Sequence, residues 1–143
     1  CASHVAHSLP HSPALVIGAA RPAARSPGAV GDHAQGFAMG AVHGGVEDAG
    51  EAFNCPAAQW QRDGELSTIL AEAGVTRVVT PYLTTGWTRD ALWPELAAME
   101  QSGSLTQLLP DLQRLTWPHA RAGFFRVKKE IDTVLGDIGL AAG

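Results

Sequence analysis

The 143-residue sequence predicts an α/β protein with a small, mainly parallel sheet. Two short apolar runs, residues 14–18 and 75–81, contain the β-branched side chains of buried strands. Longer segments with apolar residues at spacings of three and four alternate with such runs, as in amphipathic helices. This alternation of strand and helix assigns the chain to the α/β class.

Length and composition predict one domain, with residues 14–143 forming a single α/β domain. Residues 1–13 are rich in Ser, His and Pro without periodicity, so we expect a flexible N-terminal arm. No apolar run approaches the roughly 20 residues of a membrane span, so we expect no membrane partner. Two cysteines make no disulfide framework, which favours a cytoplasmic location. Because the chain begins with Cys and not Met, we expect a fragment of a longer protein, with a processed lipoprotein or a Cys nucleophile released by cleavage as the alternatives.

The arm raises two chemical alternatives. Its Cys and His residues could hold a metal ion, but two prolines oppose the helix that would align them. Cys1 could act as an N-terminal nucleophile, but a thiol on a flexible arm is poorly positioned for catalysis. We therefore expect an unstructured arm and no metal. The residues considered as ligands are Cys1, His4, His7 and His11.

The pattern from Asp32 to about Phe53 predicts a helix, with Asp32 as its N-cap and Gln35 as the partner in a capping box. Three glycines recur along one side of this helix: Gly36, Gly40 and Gly44. Each costs about 1 kcal/mol relative to Ala in a helix interior. We therefore expect another backbone to approach that side, with a ligand groove as the alternative.

Residues 54–61 interrupt the helical pattern, and a second helix is predicted from Asp63 through Ala73, ended by Gly74. Residues 75–81 predict a parallel strand covered on both faces. A helix beginning at Thr88 or Asp90 should follow, ending near Gln101.

Pro94 then falls in the first turn of this helix. A further strand is predicted within residues 104–110, and an amphipathic helix over 124–135. Before that last helix, Pro118 suits the first turn of a helix. The side chains predicted to face inward from the last helix are Phe124, Val127, Ile131, Val134 and Leu135.

The sequence contains neither a dinucleotide-binding glycine motif nor a phosphate-binding loop with its lysine. Two loops nevertheless follow predicted strands, residues 18–28 and 81–90, and the carboxyl ends of parallel strands are where α/β sheets bind ligands. Thr84 and Thr85 offer hydroxyl groups there, and Gly86 lets a ligand approach the backbone. A helix N-terminus behind them favours an anion. The alternative is an ordinary loop with aromatic side chains packed over the sheet edge.

Basic residues are concentrated near the C-terminus. Residues 112–130 carry five basic side chains and one acidic one, whereas residues 1–111 carry five basic and eleven acidic ones. An acidic protein is a poor general nucleic-acid binder, although a local basic stripe can hold a phosphate. His119 and Arg121 have no forced structural role. Arg121, Arg126 and Lys129 could line one rim, but a solvated helix face is the commoner outcome.

Two stretches, LSTILAEAGVTRVVTPYLTTGWTRDAL and RLTWPHARAGFFRVKKEI, together resemble the α/β domain of bacterial proteins related to DNA photolyases and cryptochromes. The resemblance covers roughly residues 65–131. It lies in the order of helix, strand ending in Val-Thr-Pro, glycine-containing loop and helix, followed by Trp-Pro-His-Ala-x-x-Gly-Phe-Phe. The last block is its most distinctive part.

The resemblance implies a flavoprotein in which a separate helical domain holds FAD, and an α/β domain that carries an antenna pigment or serves as a packing platform. A chain of 143 residues leaves no room for that helical domain. We therefore expect no catalytic residue here, with carbon–carbon lyase chemistry and DNA contact belonging only to a larger assembly. The candidate cofactor contacts are Thr84, Thr85, Gly86, His119 and Arg121.

The leading prediction is a Rossmann-like three-layer domain that docks on a flavin-binding helical domain or partner chain. Four tryptophans, more than a small core needs, favour an interface: Trp60, Trp87, Trp93 and Trp117. One alternative is a stand-alone domain that binds a nucleotide-type small molecule, and another is a purely structural interaction domain. An enzyme using His119 or Cys55 ranks last, because nothing in the sequence pairs with either residue.

Overall fold

The structure is a computed structural model that describes residues 9 and 11–140. Apart from residue 9 and residues 11–13, the predicted N-terminal arm lies outside the described residues, and so do Cys1, His4 and His7. His11 is exposed. Among the described residues, no helix is both long enough and apolar enough to cross a membrane.

Helices and strands alternate along the described chain, so the α/β prediction is confirmed at the level of a mixed helix–strand protein. Two 3₁₀ helices lie between the regular elements, at Pro22–Arg25 and Trp117–Ala122. The strands and α-helices are β1 (Val16–Ala19), α1 (Asp32–Phe53), β2 (Ala57–Trp60), α2 (Glu65–Glu72), β3 (Val78–Pro81), α3 (Trp87–Gln101), β4 (Leu105–Leu108), α4 (Asp111–Thr116) and α5 (Phe124–Asp137).

Over the described residues the strands form two two-stranded parallel sheets, β1–β2 and β3–β4. In the first sheet the register runs from Val16 opposite Ala57 to Ala19 opposite Trp60. Each pair is connected through one long helix, α1 or α3. Strand β2 lies in the segment that we expected only to interrupt the helices, because Ala-Ala-Gln-Trp lacks the β-branched residues that mark a strand.

The chain divides into two compact units, Cys1–Gln107 and Leu108–Gly143. In the first, a cluster of buried side chains joins β2, α2 and α3: Trp60, Leu66, Leu70, Leu92 and Leu96. The leucines come in pairs four residues apart, so each pair faces the core from one side of its helix. This packing fixes Trp60, the last residue of β2, which is only 3% exposed.

The second unit contains α4, the second 3₁₀ helix and α5, which pack against one another. Pro118 lies in the first turn of the 3₁₀ helix, as the sequence predicts. On α5, Val134 is buried and two neighbours are half-buried, Val127 and Leu135. The inward prediction is wrong for Phe124, which is 66% exposed because it begins the helix, where few neighbours cover it, and Ile131 is also exposed.

The predicted close approach to the glycine side of α1 is absent among the described residues. A Cβ atom built on Gly36, Gly40 or Gly44 would meet nothing within 4 Å. The closest contact is instead at Gly18 in β1, where an added Cβ would overlap the side chain of Val46 and lie 2.9 Å from Val42 Cγ1. Close packing of α1 therefore occurs against the strand through its valines.

Three local expectations are wrong in detail. The N-cap of α1 is Gly31 rather than Asp32, and Gln35 Nε2 donates to the Val30 carbonyl at 2.8 Å instead of completing a capping box. Because α3 begins at Trp87, Pro94 lies inside the helix and not in its first turn. Strand β3 is covered on one face only, since alternate residues along it are exposed.

Candidate functional site

The carboxyl ends of β1 and β2 lie at the same edge of their sheet, because the two strands are parallel. The pairing extends one residue beyond the strands, where the Ala20 N–H donates to the Trp60 carbonyl at 3.3 Å. Arg21 follows directly. Because it precedes Pro22, its backbone is kept out of the helical region (φ −132°, ψ 63°). The chain thus turns away from the sheet with the Arg21 side chain at the edge.

The guanidinium of Arg21 is fixed by both strand ends. Its Nη1 donates to the Ala20 carbonyl at 3.0 Å and to the Trp60 carbonyl at 2.7 Å. The same group lies over the Trp60 indole, 4.9 Å from the ring centroid, in cation–π geometry. The indole is itself held, because Trp60 Nε1 donates to the Arg62 carbonyl at 3.0 Å. Arg21 is therefore a positioned cation and not a mobile surface side chain.

The other two nitrogens of Arg21, Nε and Nη2, are buried and have no hydrogen-bond partner. The whole side chain is only 9% exposed. These two N–H groups form one parallel fork, the arrangement that binds a carboxylate or phosphate through two hydrogen bonds. A buried donor left unpaired costs about 1–3 kcal/mol, and more when it is charged. The fork therefore needs an acceptor.

Asp63 supplies the countercharge of this edge. Its Oδ1 lies 3.5 Å from Arg21 Nε, which makes an ion pair without a hydrogen bond. The Asp63 side chain is 90% exposed, so water competes strongly for it. Asp63 does not cap α2, as we expected from the sequence; the N-cap is Gly64. The carboxylate is thus loosely associated with the fork.

A second carboxylate is firmly bound to the loop between β2 and α2. Glu65 Oε2 accepts hydrogen bonds from the backbone N–H groups of Gln61 and Arg62, at 2.8 and 2.9 Å. These two bonds, the Arg62 one first, hold the pKa of Glu65 below its ordinary value. The hydrogen bonds from these two backbone N–H groups to the Glu65 carboxylate therefore order the loop that carries Asp63.

Three of the predicted cofactor contacts, Thr84, Thr85 and Gly86, are consecutive and exposed between β3 and α3. Gly86 is the N-cap of α3 with a φ of 145°, a conformation that glycine adopts readily. Beside them, Trp87 is 52% exposed and Arg89 lies 3.9 Å from the Trp93 ring centroid. Within the described part of the chain, the buried unpaired side-chain atoms are those of Arg21 and none belongs to this loop.

The other two predicted contacts, His119 and Arg121, lie in the 3₁₀ helix of the second unit, His119 half-buried and Arg121 exposed. The structure therefore places the five predicted contacts in two groups, one in each compact unit. Arg126 and Lys129 are also exposed, which agrees with a solvated helix face. Among residues 9 and 11–140, no group of three or more His, Cys, Asp or Glu side chains could hold a metal ion.

Residues 18–28 are predicted from the sequence as a strand-end loop, but Arg21 is not singled out within it. The available pattern was an arginine directly after a buried strand and directly before a proline. Its importance depends on Trp60, 39 residues away, which no local pattern connects to it.

No protein-family model, curated protein or solved structure matches this chain. Function is therefore inferred from the geometry of the strand edge and from the exposed surfaces of each unit.

Proposed function

We propose that this chain is a binding domain that holds the anionic group of a small molecule, of nucleotide type or smaller, at the carboxyl edge of β1–β2. The observation that carries the proposal is the buried, unpaired fork of Arg21 Nε and Nη2. An edge of this kind is where parallel α/β sheets bind ligands.

Two features of the edge favour tight binding of an anion. The guanidinium is fixed before a ligand arrives, so little side-chain freedom is lost on binding. The fork is shielded from water, which strengthens its attraction to a negative charge. Asp63 Oδ1 lies 3.5 Å from Nε, so a ligand at the fork competes with this carboxylate, whose exposed side chain is free to move aside.

The test is calorimetric titration of the full chain with adenosine monophosphate, inorganic phosphate and acetate. We expect saturable binding of at least one anion, lost in Arg21→Lys, because lysine keeps the charge but has no planar fork. Arg77→Lys, the same change at an exposed position, should bind as the native chain does. Circular dichroism checks that each variant is folded. Failure of all three anions to bind, or full binding by a folded Arg21→Lys, would refute the proposal.

A second candidate function is docking on a flavin-binding helical domain, as the photolyase-like resemblance implies. The observation that favours it is an exposed aromatic pair at the start of α5. Phe124 and Phe125 are 66% and 78% exposed, and their rings meet edge to face with centroids 5.9 Å apart. Large exposed aromatic side chains are typical of interfaces. FAD would then belong to the partner, and DNA would be reached only through the assembly.

The intact mass and the visible absorption spectrum of the native gene product test this second candidate. A product much longer than this chain, with a flavin spectrum, is the expected result. A product of similar length without a chromophore would contradict it. This second candidate function includes the antenna pigment. The residues predicted to contact that pigment are Thr84, Thr85, Gly86, His119 and Arg121.

We also propose a Rossmann-like three-layer arrangement in a cytoplasmic protein. Support for the fold comes from the two parallel strand pairs, each connected through a long helix. Support for the location comes from the two cysteines in the sequence.

A further inference from the structure

We propose that the anion bound by Arg21 is a small monocarboxylate, and that it binds by displacing Asp63. This inference rests on the proposed function and names both the ligand class and the group that competes with it. The chain itself already places a carboxylate near the fork, with Asp63 Oδ1 at 3.5 Å from Nε. The site therefore accepts this chemistry, and its present carboxylate leaves the hydrogen bonds unmade.

Geometry explains why a ligand carboxylate replaces the one from Asp63. The Nε and Nη2 groups point in parallel, and a planar carboxylate fits them with one oxygen on each nitrogen. Asp63 Oδ1 lies 3.5 Å from Nε without making a hydrogen bond, and its side chain is 90% exposed. Because the Asp63 carboxylate lies largely in water, its attraction to the guanidinium is weakened. A carboxylate making two charge-assisted hydrogen bonds in the same place is the stronger partner.

Charge favours a monoanion over a phosphate dianion. The third nitrogen of Arg21, Nη1, is occupied by the carbonyl oxygens of Ala20 and Trp60, so the negative ends of two peptide dipoles lie beside the site. One guanidinium balances one negative charge. The second charge of a dianion would face these carbonyls and the displaced Asp63.

The test is an NMR titration that follows the Arg21 Nε–H signal of the full chain with sodium acetate and with sodium phosphate, at constant ionic strength set with sodium chloride. Acetate should shift this signal saturably and bind more tightly than phosphate. Asp63→Asn removes the competing charge, so acetate should bind about two- to five-fold more tightly than to the native chain. Asp48→Asn removes an equal charge beside Pro56 and Ala57, at the opposite end of β2, and should leave acetate affinity unchanged.

The outcomes separate the two proposals. Acetate binding that Asp63→Asn leaves unchanged or weakens would overturn the displacement of Asp63, while anion binding at Arg21 would stand. Tighter binding of phosphate than of acetate would overturn the ligand class in the same way. If neither anion shifts the Arg21 signal in any variant and adenosine monophosphate also fails to bind, the proposed function falls as well.

Discussion

The carboxylate of Glu95, in α3, accepts a hydrogen bond of 2.8 Å from the backbone N–H of Gly64, 31 residues earlier in the chain. Its second oxygen accepts another, of 3.0 Å, from the N–H of Leu66. Gly64 is the N-cap of α2 and has no side chain to satisfy these N–H groups. A side chain from a neighbouring helix therefore caps α2 and attaches it to α3.

We predict that Glu95→Ala lowers the free energy of unfolding by about 1–2 kcal/mol. The change leaves two N–H groups at the start of α2 without their acceptor and removes a negative charge from the positive end of the helix dipole. Urea unfolding followed by circular dichroism measures the loss. Glu72→Ala, an exposed change on α2, should stay within about 0.5 kcal/mol of the native chain. Equal effects of the two variants would show that Glu95 does not cap the helix.

Glu65 makes part of the stability depend on pH. Its pKa is lowered in the folded state by backbone hydrogen bonds from Arg62 and Gln61, so the folded chain favours the ionised carboxylate. This contribution is fully present above the ordinary glutamate pKa and is lost as the pH falls through the lowered value. Glu65→Gln should therefore be less stable than the native chain near neutral pH, with a difference that shrinks in acid.

Urea unfolding at about pH 7 and about pH 3 measures that difference, and a ¹³C titration of the Glu65 carboxyl gives its pKa directly. Glu51→Gln, an exposed carboxylate of α1, controls for the loss of one charge. A stability difference that is constant across this range would contradict the assignment.

The sequence predicted the elements that depend on a local pattern of residues. It did not predict the features that depend on residues far apart in the chain. The bounds of α1 agreed with expectation because apolar residues repeat over its whole length, and β3 and β4 lie within their predicted segments. Strand β2 was missed because its residues have weak strand preference and are fixed by pairing with β1. The candidate site was found only as a loop, since Arg21 acquires its role from Trp60.

Replacement by alanine should change the free energy of unfolding in opposite directions at two glycines of the first unit, Gly18 and Gly40. Gly18→Ala should lower the free energy of unfolding by about 1–3 kcal/mol, because the new methyl group overlaps Val46 and crowds Val42. Gly40→Ala meets nothing within 4 Å and should raise it by up to about 1 kcal/mol, as expected for an exposed helix interior. Urea unfolding of both variants measures the contrast. A destabilised Gly40→Ala would show that a partner covers this side of α1 in solution.

The tryptophans should differ in how readily acrylamide quenches their fluorescence in solution. Trp87 and Trp117 are 52% and 41% exposed, whereas Trp60 is 3% exposed under the Arg21 guanidinium. Acrylamide should therefore quench part of the native fluorescence readily and leave part protected. Replacing Trp87 and Trp117 together by Phe should remove the readily quenched part and shift the remaining emission to shorter wavelength, because Trp60 and Trp93 are less exposed to water.

Sedimentation of the same samples shows whether the exposed tryptophans are covered by another molecule. If the chain sediments as a monomer and quenches in two classes, these aromatic side chains face solvent and are accessible to a docking partner. Trp87→Phe alone should then keep the native unfolding midpoint, because exposed side chains contribute little to stability. Uniform protection of all four tryptophans in a monomer would contradict the exposure of Trp87 and Trp117 and remove these side chains from the case for docking.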